Sequence, residues 1–197
     1  RIFEWSGAAW EQMGAEIGGD AEWSLFGESL SFSEDGNRLV GGAPYFTDRK
    51  GYVKILDWDG TSWVQKGQTI YGENIFDEFG DSVALSTNGT TLTVGASYSP
   101  GGGYRRGQVR VYKLNENTWE QVEAPINGLI DSEFIGGSLA ISGSGEVVAA
   151  ASALSSFHGT YAGVVRVYES GVLKTEDFSA LNKVSIYPVP AKDYVTI

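Results

Sequence analysis

Short alternating stretches, rather than any sustained helical period, dominate the hydrophobic pattern of this chain. Over Ser82–Ser86, Val83 and Leu85 fall on one side and Ser82, Ala84 and Ser86 on the other, the two-residue period of a strand. Thr87-Asn88-Gly89-Thr90 follows as a turn, because Asn-Gly tolerates positive φ. Thr91–Ala96 predicts a second strand ending in the small pair Gly95-Ala96, Val109–Tyr112 a third, and Thr118–Val122 a fourth carrying Trp119.

The same unit occurs more than once. Arg1–Ser29 and Lys54–Ser82 align without a gap, matching Trp5 with Trp58, Trp10 with Trp63, Gly14 with Gly67, Ile17 with Ile70, and Phe26-Gly27 with Phe79-Gly80. Trp63, Gln65, Gly80 and Ser82 recur again as Trp119, Gln121, Gly136 and Ser138. Gly51-Tyr52-Val53-Lys54-Ile55 recurs as Gly107-Gln108-Val109-Arg110-Val111 and as Gly163-Val164-Val165-Arg166-Val167. The second copy is slightly longer than the first, and the extra residues fall between Ala96 and Gly107, at the Gly101-Gly102-Gly103 run, which marks a surface loop.

Four short antiparallel strands in about 50 residues match a β-propeller blade. The expected fold is all-β: a β-propeller of four-stranded antiparallel blades, here a fragment with an incomplete ring. An all-β solenoid or sandwich is the alternative, disfavoured for the sandwich by the fidelity of the repeat. The expected organisation is a partial propeller over 1–175, with blade repeats near 1–25 (the tail of a blade), 26–78, 79–134 and 135–175. Small residues such as Gly27, Ser29, Gly80, Ser82, Gly95 and Ala96 suit crowded inner strands, and Trp10, Trp63 and Trp119 suit the wider space between neighbouring blades.

Composition narrows the partners. The chain has 197 residues, 27 of them Gly and none Cys, and a formal net charge of -11. That charge speaks against a nucleic-acid or anionic-membrane partner, which needs clustered Lys and Arg. Arg105-Arg106 is an isolated basic pair that reads as a solubilising loop. No apolar run is long enough to span a bilayer. Without Cys there are no disulfides, thiol catalysis or thiolate zinc sites.

The succession Phe79-Gly80-x-Ser82-Val83-Ala84-Leu85-Ser86, Val94-Gly95-Ala96, Gly107-x-Val109-x-Val111-Tyr112 and Trp119-x-Gln121 resembles the FG-GAP repeat, as does Phe26-Gly27 with Gly42-Ala43-Pro44. The resemblance covers about Arg1 to Tyr168 and implies an extracellular propeller of the integrin-head type used in adhesion or ligand binding. Integrin-type repeats often carry a D-x-D-x-D-G calcium loop. Asp57-Trp58-Asp59-Gly60 holds only part of that pattern, so Asp57 and Asp59 are weak metal candidates beside the plainer reading of a hairpin turn, and no cofactor is expected. After a linker at 176–183, residues 184–197 are similar to the truncated start of a type IX secretion system C-terminal sorting domain. Tyr187, Pro188, Pro190 and Ala191 match its Y-P-N-P-A opening, and Val189 departs from it. That similarity implies a chain handled by the type IX machinery and secreted from, or held at the surface of, a Gram-negative bacterium.

Catalytic signals are sparse. His158, the sole histidine, has Ser155 and Ser156 nearby but no nucleophile elbow or oxyanion-hole pattern. The acid pairs Asp20/Glu22, Asp77-Glu78 and Asp131/Glu133 precede each F-G position in shifting register and read as polar turns. A non-enzymatic chain is therefore expected. Trp23, Phe46, Tyr104 and Tyr161 do not recur from copy to copy and are the candidate ligand-binding residues for a glycan or protein partner. A structural spacer, or a hydrolase with its catalytic residues elsewhere, are the alternatives.

Overall fold

The computed structural model describes residues 1–170; the expected linker and the sorting-domain residues Tyr187, Pro188, Pro190 and Ala191 lie outside them. The described chain is a series of antiparallel sheets that follow one another without closing a ring. A hairpin of β1 (Phe3–Trp5) and β2 (Trp10–Gln12) comes first. Blade 1 contains β3 (Ser29–Phe32), β4 (Arg38–Ala43), β5 (Tyr52–Trp58), β6 (Trp63–Gln65) and β7 (Ile70–Tyr71), ordered β3-β4-β5-β6 with β7 also on β5. Blade 2 contains β8 (Val83–Leu85), β9 (Thr91–Ala96), β10 (Gln108–Asn115) and β11 (Thr118–Asn127) in chain order. Blade 3 contains β12 (Ser138–Ile141), β13 (Val147–Ser152) and β14 (Val164–Glu169). This is the expected all-β blade architecture.

Blade 2 was expected to have shorter third and fourth strands. Both run on because a bulge between Val109 and Val111 lets the pair continue to Val109↔Ile126 and Gln108↔Asn127. Blade 1 makes the same pairing with a break, Val53↔Ile70 and Tyr52↔Tyr71, so β6 and β7 together correspond to β11. The hairpin turns follow the Asn-Gly expectation. Asn88 Oδ1 accepts the Thr90 amide (3.0 Å) and Gly89 sits at φ +69°. Asp35 and Gly36 repeat the arrangement, with Asp35 Oδ1 accepting the Asn37 amide at 3.0 Å.

The core lies between blades rather than within one. Val53, Ile70, Phe79, Leu92 and Val94 form the seam from blade 1 to blade 2. The aligned residues Val109, Ile126, Ile135, Val148 and Ala150 form the seam from blade 2 to blade 3. The second seam is the first with smaller side chains at three positions.

Nearer the inner strands the seam is backbone on backbone. A Cβ on Gly42 would overlap the Gly80 carbonyl oxygen, and one on Gly95 would overlap that of Gly136. Ser29 Oγ donates to the Gly80 carbonyl at 2.7 Å, and Ser82 Oγ donates to that of Gly136. Neighbouring hairpin turns also join directly, Glu34 N to Thr87 O (3.0 Å) and Thr87 N to Gly143 O (3.2 Å).

At the outer edge the recurring tryptophan clasps the preceding blade. Trp119 Nε1 donates to the Lys66 carbonyl (3.1 Å), while its amide donates to Gln68 Oε1 (3.0 Å). Trp63 Nε1 repeats the indole bond to the Met13 carbonyl at 3.2 Å. Trp119 is 2% exposed but Trp10 is 68% exposed, since no described strand precedes β1 for it to clasp. The expectation that all three tryptophans fill space between blades therefore holds for Trp119 and, half-buried, Trp63, but not for Trp10.

Trp119→Ala should cost about 3–5 kcal/mol through a cavity and a lost clasp. Trp10→Ala should stay within about 0.5 kcal/mol. Urea denaturation of the two variants checks the contrast.

Candidate functional site

Each blade's second and third strands are joined at the same end at which the chain crosses into the next blade. Residues 44–51, 97–107 and 153–163 are the inter-strand loops, and residues 13–28, 72–82 and 128–137 are the crossings. They run side by side. Phe76 N donates to Asp48 O (3.0 Å) and Glu78 N to Arg49 O (2.8 Å). In the next pair Ser132 N donates to Tyr104 O (2.7 Å) and Phe134 N to Arg105 O (3.1 Å). Together they build a rim with a repeated backbone.

The repetition extends to strain. Apart from Glu116 and Glu123, every described non-glycine residue with positive φ lies on this rim. Such backbone costs of order 1 kcal/mol or more per residue outside glycine. The positions align between blades: Trp23, Phe76 and Ser132 share one; Leu25, Glu78 and Phe134 a second; Arg49, Arg105 and Tyr161 a third. The backbone at each position is the same while the side chain changes, and this is the signal the sequence holds only once the copies are aligned.

Of the four aromatics singled out in the sequence, Trp23, Tyr104 and Tyr161 stand well exposed on the rim, at 84%, 60% and 69%. Phe46 shares the rim but is half-buried, edge-on to Tyr52 with ring centroids 5.0 Å apart. A ladder of stacked rings and guanidinium groups crosses the same surface. Arg49 lies 5.1 Å from the ring centres of both Tyr45 and Tyr98, and Arg105 lies 5.4 Å from Tyr98 and 5.1 Å from Tyr104. Tyr45 and Tyr98 are aligned residues of blades 1 and 2, so the ladder is itself a product of the repeat.

The acids of the crossings hold the rim together. The acid pairs shift register from blade to blade as expected, Ser24 standing where Asp77 and Glu133 align, but those two acids share one position and both are buried. Asp77 Oδ2 accepts the Asn74 amide (3.0 Å); Glu133 accepts the amides of Leu129 and Ile130 and pairs with Arg166. The third-strand cation of each blade reaches back to the crossing that enters it: Lys54 to Asp20, Arg110 to Glu73 (2.7 Å), Arg166 to Glu133.

Asp57 and Asp59 are separately engaged. Asp57 takes a two-pronged hydrogen bond from Arg38 (2.5 and 2.6 Å) across β4 and β5. Asp59 Oδ1 accepts the amides of Thr61 and Ser62, both at 2.8 Å, and these bonds hold its carboxyl far below the usual range. Among the described residues no cluster of three or more His, Cys, Asp or Glu side chains is placed to hold a metal ion. No described helix is long and apolar enough to cross a membrane.

Asp81 lies on the rim near the end of the crossing that leads into β8. Burial pushes its carboxyl up to about 7 against the opposing bond from Ser97 Oγ, and the neighbouring Glu28 charge adds to the rise.

No family model matches the chain, and no curated protein matches it. A solved structure from Bacteroides uniformis ATCC 8492, described as a "putative 6-phosphogluconolactonase", is similar in fold at 14% identity and a TM-score of 0.47. The match covers 82% of this chain but only 42% of that one, so the chain spans less than half the length of the protein it resembles. That protein is described as an enzyme, so the expectation of a non-enzymatic chain is corrected and not retained. Likeness at this level carries no activity or substrate to this chain.

The Asp81 ionisation has a stability consequence. Between pH 4 and pH 7 the folded state holds a proton that the unfolded state has lost, so stability should fall as pH rises through that window. Asp81→Asn keeps an acceptor for Ser97 and removes the charge. It should flatten the pH profile and stabilise the protein at pH 8 by up to about 4 kcal/mol, at ~1.4 kcal/mol per pH unit between the two ionisation midpoints. Thermal melts of both proteins from pH 4 to pH 8 test this.

Proposed function

We propose that this chain is the ligand-binding part of a β-propeller displayed outside the cell, and that its rim recognises a glycan. The observation that carries the reading is the strained, repeated backbone of the rim with its side chains changed from blade to blade. Residues that serve the blade recur, as Trp63 and Trp119 do; Trp23, Tyr104 and Tyr161 do not, and they stand exposed. Exposed aromatic faces on rigid loops suit stacking on sugar rings, at a small entropic cost because the loops are already ordered.

The FG-GAP-like residues support an adhesive or ligand-binding role. The Tyr187-Pro188-Val189-Pro190-Ala191 stretch supports passage through type IX secretion to the surface of a Gram-negative bacterium.

A glycan-array screen of the chain, compared with a Trp23→Ala/Tyr104→Ala/Tyr161→Ala variant, tests the proposal. Selective hits weakened at least tenfold in the variant, with an unchanged melting temperature, are expected. Undiminished binding by the variant would move the site off the rim, and a blank array for the parent would remove the glycan reading.

A further inference from the structure

The left-handed position shared by Arg49 and Arg105 has two different electrostatic solutions. In blade 1, Arg49 lies between Tyr45 and Tyr98 and forms an ion pair with the buried Glu78. In blade 2, Arg105 lies beside Tyr98 and Tyr104, both of its own loop, and Phe134 stands where blade 1 has Glu78. None of the ion pairs among the described residues involves Arg105. The next residue, Arg106, is satisfied by Asp131 at 2.7 Å. In a chain with a formal net charge of -11, an exposed arginine whose aligned counterpart has an acid and which itself has none is a position open to an anion from outside.

The surroundings favour a particular anion. Rings against a guanidinium cover its faces and leave its N–H edge, which matches the two oxygens of a carboxylate. Tyr104, whose ring centre lies 5.1 Å from the guanidinium carbon, is itself 60% exposed, so part of its ring surface is open to solvent. The loop is held before any ligand arrives. Tyr104 N donates to Asp131 Oδ1 (3.2 Å), and the carbonyls of Tyr104 and Arg105 accept the Ser132 and Phe134 amides. A Cβ at Gly103 would collide with Arg106 and Asp131, so the glycine permits this packing.

We propose that Arg105 and Tyr104 form a subsite for a single carboxylate-bearing sugar of a glycan, the carboxylate on the guanidinium edge and the sugar ring against the tyrosine. The proposal rests on the glycan reading of the rim and narrows it to uronate-type ligands. Charge is read at Arg105, while the other rim aromatics read ring surface.

Calorimetric titration with galacturonate, glucuronate and mannuronate tetramers, each beside its neutral methyl ester, tests it. The acid form of at least one should bind tenfold or more tightly than its ester. Arg105→Gln should abolish that preference, Arg105→Lys should retain part of it, and Tyr104→Ala should weaken acid and ester alike. All three substitutions are at exposed positions and should leave the melting temperature within a few degrees. Equal binding of acid and ester, or a preference untouched by Arg105→Gln, would overturn the acidic subsite. If neutral glycans bind but no uronate does, this inference falls and the glycan reading stands. If no saccharide binds at all, both fall.

Discussion

The close approach of backbone to backbone between neighbouring blades is the constraint on which the rest of the molecule depends. At Gly42 against Gly80 and at Gly95 against Gly136 there is no room for a side chain. Ser29 and Ser82 use the proximity to donate to the facing carbonyls. With the inner strands so close, the sheets must splay outward, and the widening gap is filled in order by Val, Ile and Leu and finally by Trp119. The same approach brings each crossing alongside the loop of the preceding blade, where amide-to-carbonyl bonds lock the rim. Seam, clasp and rim are thus one geometric solution repeated.

Much of this was legible in the residues. Strand β9 coincides with the second strand expected over Thr91–Ala96, and the small residues Gly80, Ser82 and Gly95 meet at the seam as their size implied. What stayed hidden depends on neighbours that local pattern does not report. Trp10 and Trp119 are equivalent in sequence, yet one is exposed and the other buried, because only Trp119 has a described blade before it. The full extent of β10 and β11 depends on a bulge, and a bulge leaves no trace in a two-residue period. Asp77 and Glu133 look like loop acids until their amide partners are seen.

The rim shows how a repeat separates scaffold from specificity. Once the copies are aligned, Trp23, Phe76 and Ser132 fall in register at one left-handed position and Arg49, Arg105 and Tyr161 at another. No propensity rule places a tryptophan, an arginine or a tyrosine at positive φ, so the strain itself had no local signal. Tertiary bonds from the adjacent crossing over-determine that backbone and free the side chain to vary. The aromatic candidates were visible as residues that fail to recur; their common location and the stacked arginines between them came only from the fold.

Replacement of Gly95 by alanine tests the central claim, that the blade-to-blade backbone approach holds the fold. The control is already in the chain. Ala151 occupies the aligned position in blade 3, where no described blade follows, so Ala151→Gly should change stability only slightly. By equilibrium urea denaturation, Gly95→Ala should lose at least about 2 kcal/mol, because the added methyl group meets backbone that cannot yield. A Gly95→Ala variant as stable as the parent would show that the seam has room to spare, and would contradict the account.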